Sequence, residues 1–268
     1  LDEEQLDAVI ICTPPTVRLD PIRAAAERSV AVFCEKPPAA EYESALETLR
    51  VIESSGIINS VGFMYRWSRA VDHAKQLIAG EPLNLIRSIF VCGPALDPAQ
   101  PKWFFNKKLS GGPVLDQAIH ILDLTRYLAG DVTTVHAFGA NVVCPKTEEF
   151  TVEDSVTINL RYESGAIQNH QHSWAFPGGK LEIELISDRH HLYITPNDVR
   201  GKIHGDEVSY KPANNDFYRR ELVEFFQAVR EKDQSRIRSP YSDAIKTLAT
   251  VLAVNESVDE GKIVTVRS

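Results

Sequence analysis

Close to its start the chain alternates short apolar runs with segments of helical period. Leu6–Cys12 (LDAVIIC) is a continuous apolar run stopped by Thr13-Pro14-Pro15, the pattern of a strand buried on both faces. Residues 18–28 carry a helical pattern, and Val30–Cys34 is a second buried-strand run. Glu41–Ser54 spaces its apolar residues for a helix, Gly56 stops it, and Ile57–Phe63 predicts a third strand. Strands separated by helices imply a parallel, doubly wound sheet.

Beyond about residue 64 the pattern changes. A helix is predicted over Ala70–Ala79, followed by segments that alternate with period two. In Ser155–Tyr162, Val156, Ile158 and Leu160 share one face, while Ser155, Thr157, Asn159 and Arg161 share the other, as in an antiparallel strand wet on one side. Ile86–Cys92, Val135–Val143, Ile167–Trp174, Leu181–Ile186, His191–Thr195 and Val208–Lys211 follow the same rule, so a large, mostly antiparallel sheet is expected. Amphipathic helices are predicted at Phe217–Arg230 and Pro240–Ser257. The division this suggests is 1–63, half of a doubly wound domain, and 64–268, an α+β domain.

One more helix lies between these parts. Ser110-Gly111-Gly112-Pro113 leads into residues 113–128, PVLDQAIHILDLTRYL. At about 100° per residue Asp116, His120, Asp123 and Tyr127 form a narrow polar stripe on a helix that is otherwise apolar apart from Gln117, Thr125 and Arg126. An aspartate one turn from a histidine favours the imidazolium and fixes the proton's position, as a general base requires. From the residues alone, an internally satisfied core pair reads equally well.

Composition narrows the partners. With 29 Lys plus Arg against 37 Asp plus Glu, the net charge of -8 argues against nucleic acid or an anionic membrane as the main partner. No apolar run is long enough to span a bilayer. The four cysteines, Cys12, Cys34, Cys92 and Cys144, form no C-x-x-C pair, so they read as reduced thiols of a cytoplasmic protein. His170 and His172 share a strand face, but spacing supplies no third ligand for zinc, so they are expected on a wet face or in a cleft, and no metal site is predicted.

DAVIICTPP, CEKPPA, VGFMYRWS and GGPVLDQAIHILDL, in this order, resemble the glucose-fructose oxidoreductase / inositol dehydrogenase (Gfo/Idh/MocA) family, as do TVEDSVTINLRYESGAI and DFYRRELVEFFQAVRE. The resemblance covers nearly the whole chain. It implies a Rossmann domain, here lacking its N-terminal part, followed by an α+β domain with a large open sheet for substrate binding and dimerisation. The implied activity is that of an NAD(P)-dependent oxidoreductase moving hydride between NAD or NADP and a hydroxyl of a sugar, inositol or related polyol. A homo-oligomer, dimer or tetramer, built through the large sheet is implied as well. Carried over position by position, Lys36, Asp116 and His120 correspond to the catalytic trio. Thr13, Pro14, Pro15 and Glu35, with Lys36, correspond to cofactor contacts. Tyr65, Arg66 and Trp103, with His120, are the expected substrate contacts. Pro113 stands where the family has a third glycine, Ala118 where it has a glycine, and Met64 where it often has asparagine. The family also admits non-catalytic binding members acting through a protein partner and glycosidases that use NAD transiently.

The 268 residues hold no G-x-G-x-x-G turn for the pyrophosphate. Because Leu6–Cys12 matches the fourth strand of the fold, about 60 residues are expected ahead of Leu1, and these residues alone are expected to bind dinucleotide poorly.

Overall fold

The computed structural model describes residues 4–267. By compactness the chain forms two units, Leu1–Trp67 with Asp216–Ala249, and Ser68–Asn215 with Thr250–Ser268.

In the first unit, strand β1 (Ala8–Ile11), helix α1 (Leu19–Ala26), strand β2 (Ala31–Cys34), helix α2 (Tyr42–Ser55) and strand β3 (Asn59–Val61) follow one another. The strands form a parallel sheet in the order β1-β2-β3. Central β2 is buried along its whole length, which is why AVFC reads as an unbroken apolar run. Leu6–Cys12 was expected to be buried on both faces; instead β1 is an edge strand, and Ile10 is 48% exposed. Helix α2 ends where Gly56 adopts a left-handed conformation (φ 66°) and its N–H bonds the carbonyl of Ile52.

In the second unit, helix α3 (Arg69–Leu77) begins at Ser68, whose hydroxyl accepts from the N–H groups of Ala70 and Val71. Strand β4 (Leu85–Val91), the short helix α4 (Lys107–Ser110), a π-helical turn (Val114–Ala118) and helix α5 (Ile119–Ala129) follow. Then come β5 (Val132–Ala140), β6 (Ser155–Tyr162), β7 (Ile167–Ser173), β8 (Lys180–Ile186), β9 (His190–Ile194), β10 (Val199–Ile203) and β11 (Asp206–Tyr210). After helices α6 (Phe217–Glu231) and α7 (Tyr241–Glu260), the short β12 (Val264–Thr265) completes a nine-stranded sheet in the order β11-β10-β9-β8-β4-β7-β6-β5-β12. Every pairing is antiparallel except β4 with β7.

One face of this sheet is core. Ile86 of β4, Val156, Ile158 and Leu160 of β6, Ile183 and Leu185 of β8, and Leu192 and Ile194 of β9 are all buried. The same face carries a buried polar chain: Tyr162 donates to Gln168, the Gln168 amide donates to Ser88 (2.7 Å), and the Ser88 hydroxyl meets His170 Nδ1 (2.9 Å). The register pairs His170 with Ile158 and His172 with Val156, so both imidazoles lie on the covered face rather than a wet one. The opposite face is open and carries charge ladders such as Arg87–Glu184 (2.9 Å) and Arg200–Glu182 (2.9 Å) beside half-exposed Ile167.

Compactness returns the chain to the first unit at Asp216, whose carboxylate caps α6 by accepting from the Arg219 N–H. The apolar stripe of α6 explains the return, because Phe225 and Ala228 pack with Ala31 and Phe33 of β2, the two phenyl rings edge to face at 5.5 Å. Helix α7 gives its first turns, to Ala249, to this unit and the remainder to the second.

Candidate active site

In the first unit the expected site residues gather at the carboxyl ends of the parallel strands, where ligands bind in doubly wound folds. Thr13, Pro14 and Pro15 follow β1 with Thr13 exposed, and Glu35 and half-buried Lys36 follow β2. The Glu35 N–H bonds the Ile11 carbonyl (2.9 Å) and the Gly62 N–H bonds the Cys34 carbonyl (2.9 Å), so the ladder runs right up to the lysine. The Glu35 carboxylate accepts from the Lys36 N–H (3.1 Å) and lies over Gly62, where a Cβ would stand 3.2 Å from its oxygen. Glycine at position 62 is what leaves room for the carboxylate to fold back.

Beneath these loops is a residue that no sequence pattern marks. Arg18, at the entry to α1, is 4% exposed. Its Nε and Nη2 donate to the Thr13 carbonyl (3.0 and 2.9 Å), Nη1 donates to the carbonyls of Glu35 and Pro37, and Nη2 reaches that of Lys36 (3.3 Å). The Tyr241 hydroxyl donates to the Pro38 carbonyl (3.2 Å).

Tyr65 and Arg66 follow β3. Tyr65 is half-buried with its ring edge to face on Phe217 at 5.4 Å. Arg66 is 2% exposed, 2.6 Å from the Asp243 carboxylate, and it donates to the Arg238 carbonyl (2.7 Å).

In the second unit Gly111 (φ 73°) and Gly112 (φ 70°) end α4, and the Asn255 amide donates to the Gly111 carbonyl (2.9 Å). The turn that follows is π-helical, with the Ile119 N–H reaching back to the Val114 carbonyl. The 100° wheel that put Asp116 and His120 on one stripe therefore does not apply across Val114–Ala118, since a π turn takes more residues per revolution. Asp116 is half-buried within this turn, and His120 is buried one residue into α5. Between them Gln117 fastens the turn to the sheet, its side-chain oxygen accepting from the Cys92 thiol (2.6 Å) and the Trp174 indole (2.6 Å). Burial, with the charge of Asp116 adding to it, pushes the Cys92 thiol up to about 11, so it keeps its proton for that bond at neutral pH. Trp174 is fully buried and stacks on Phe104 (4.7 Å), whereas Trp103 is 48% exposed. Gln117 was not among the residues expected from sequence, because nothing local marks a side chain whose partners are long-range.

Burial holds His170 down to about 3, and burial with the neighbouring His170 holds His172 well below the usual imidazole range. Among the described residues no group of three His, Cys, Asp or Glu is placed to hold a metal ion.

Comparison with known proteins follows this division. Residues 1–63 match the profile described as an oxidoreductase family with an NAD-binding Rossmann fold, and residues 71–211 match the GFO/IDH/MocA C-terminal domain. The scyllo-inositol 2-dehydrogenase (NAD(+)) of Bacillus subtilis is 30% identical over 241 residues, covering 86% of this chain and 69% of that protein. The levoglucosan dehydrogenase of Pseudarthrobacter phenanthrenivorans is 27% identical over 267 residues, covering 90% and 63%. Among solved structures, a levoglucosan dehydrogenase in complex with NADH and levoglucosan superposes with a TM-score of 0.86 at 20% identity, over 98% of this chain and 80% of that one, a likeness of fold.

Proposed function

The chain belongs to the GFO/IDH/MocA family of NAD(P)-dependent oxidoreductases, and from that premise we propose that its substrate is a sugar, an inositol or a related polyol, oxidised or reduced at one hydroxyl-bearing carbon. The observation that carries this reading is Lys36, an ammonium set at the carboxyl end of a fully buried strand in a turn whose carbonyls are individually held. The substrates that two relatives are named for, an inositol and levoglucosan, point the same way.

The residues present fit the nicotinamide end of a dinucleotide. Thr13 offers an exposed hydroxyl for a carboxamide and Pro14 and Pro15 a rigid apolar surface, while the nearby Glu35 carboxylate is folded onto Gly62. Bound NAD or NADP supplies the hydride acceptor or donor. Lys36 hydrogen-bonds the substrate oxygen and stabilises the negative charge that grows on it as hydride leaves. His120 takes the hydroxyl proton, and Asp116 orients and balances the imidazole. Trp103, exposed, and Tyr65 are the aromatic surfaces offered to a sugar ring. Arg66 serves as a strut, since its guanidinium is committed to Asp243 and the Arg238 carbonyl.

The protein works in the cytoplasm as a homo-oligomer, a dimer or a tetramer, through the open face of the nine-stranded sheet. Support comes from cysteines that are all free and from exposed Phe138, Ile167 and Ile263 on or beside that face. Among the described residues no helix is long and apolar enough to cross a membrane.

The test is a panel of inositols and aldoses offered to the full-length enzyme with NAD and with NADP. Net reduction of the nicotinamide by at least one polyol is expected. Cleavage or rearrangement of a sugar without net reduction would replace this reading with transient redox chemistry, and binding without turnover would replace it with a sensor.

A further inference from the structure

Arg18 is a buried cation whose hydrogen bonds, among the described residues, all go to backbone carbonyls and the neighbouring Cys34 sulfur. Taking a guanidinium out of water is costly unless its donors are satisfied, so a side chain placed this way has a task that repays the burial. It also stands where a helix is better served by something else. Arg18 is the N-cap of α1 and makes no side-chain cap bond, whereas Ser, Thr, Asp or Asn at such a position is worth about 1 kcal/mol.

The carbonyls it binds identify the task. One belongs to Thr13, on the loop assigned to the cofactor, and the others belong to Glu35, Lys36 and Pro37, the turn that carries the catalytic lysine. With Tyr241 on Pro38, four successive carbonyls around Lys36 are held by side-chain donors. A planar fork with donors on several edges can bridge the two loops in this way, whereas an ammonium, a point donor, can hold only part of the set.

We propose that Arg18 is the positioning residue for Lys36, a guanidinium clamp that locks the lysine turn to the cofactor-side loop so that the ammonium is delivered pre-oriented. The inference rests on the proposed role of Lys36 in hydride transfer. Misplacing a reacting group by about 1 Å costs on the order of 10²-fold in rate, so loosening this clamp is felt in kcat more than in the KM for the polyol.

A double-mutant cycle reads this directly. Arg18→Met, Lys36→Met and the pair are assayed in the full-length enzyme at saturating cofactor, with Arg18→Lys as the conservative variant, which carries the cycle if Arg18→Met does not fold. Arg18→Met is expected to lower kcat about 10²-fold, with little further loss once Lys36 is already Met, and Arg18→Lys to recover part of the rate. Hydrogen exchange gives a second readout without turnover: the amides of Thr16, Lys36 and Ala39 should exchange faster in Arg18→Met while those of α2 do not. A slow Lys36→Met enzyme to which Arg18→Met adds its full effect overturns the clamp alone. Normal kcat in Arg18→Met, or exchange raised throughout the first unit, overturns it too. Normal turnover in Lys36→Met removes the lysine's role and the clamp with it.

Discussion

His170 and His172 show what a fully buried titratable group does to stability. Neither nitrogen of His172 finds a protein hydrogen-bond partner among the described residues, and His170 has only the Ser88 hydroxyl. Both are held neutral, with His170 titrating at about 3 against 6.5 for a free imidazole. Below pH 6.5 the unfolded chain binds protons that the folded chain refuses, so their contribution is complete above that pH and is lost as the pH falls. Each histidine contributes a slope of about 1.4 kcal/mol per pH unit within that window. Urea midpoints taken from about pH 7 to about pH 5 should fall, and His170→Asn should fall less steeply; equal slopes in the two proteins would show that the imidazole is protonated in the folded state. The sequence misplaced this pair for a physical reason. Polar residues at alternate strand positions normally mark the wet face, but here Gln168, Ser88 and Tyr162 share the covered face and satisfy one another. Arg18 and Gln117 left no trace in the sequence either, because each is defined by partners that only the fold brings near.

Among the elements, the turn that carries Asp116 is the most constrained. Gly111 is left-handed, and a Cβ there would stand 2.3 Å from Leu115 Cδ2 and 2.6 Å from Leu115 Cβ, on the first turn of the π-helical segment. Gly111→Ala should cost about 2 kcal/mol in stability and lower turnover, since Leu115 can move only by dragging Asp116 with it. Gly56→Ala is the control. Gly56 is also left-handed, but nothing lies within 4 Å of its added Cβ, so the loss should be about 1 kcal/mol with turnover unchanged. Equal effects of the two substitutions on turnover would remove the strain argument. Elements with a clean period were legible: Ser155–Tyr162 is β6 to the residue. The π turn was not, since a 3.6-residue wheel has no means of showing an inserted residue. Strand β10 was missed because VRGKI breaks alternation at Gly201, whose Cβ would stand 2.0 Å from the His191 carbonyl oxygen.

For the whole molecule, the long alternating segments made the large sheet predictable, and the ordered motifs carried the family. The return of α6 to the first unit was not predictable, because an amphipathic stripe announces that a face is buried without saying against what. The open sheet face leads to an association prediction. Ile167 is 49% exposed and lies opposite Leu85 in the register, so Ile167→Asp should shift light-scattering mass toward the monomer. A wild-type protein that is already monomeric at micromolar concentration would place the interface elsewhere or nowhere. Above these stands the proposal that the enzyme performs hydride transfer and that Lys36 and His120 each act in it. The most direct measurement is the single-turnover rate of nicotinamide reduction by a polyol in the full-length enzyme carrying Lys36→Met or His120→Ala. A fall on the order of 10²- to 10⁴-fold in each, measured at saturating cofactor, is the predicted result. Rates near that of the unsubstituted enzyme in either variant would contradict the account.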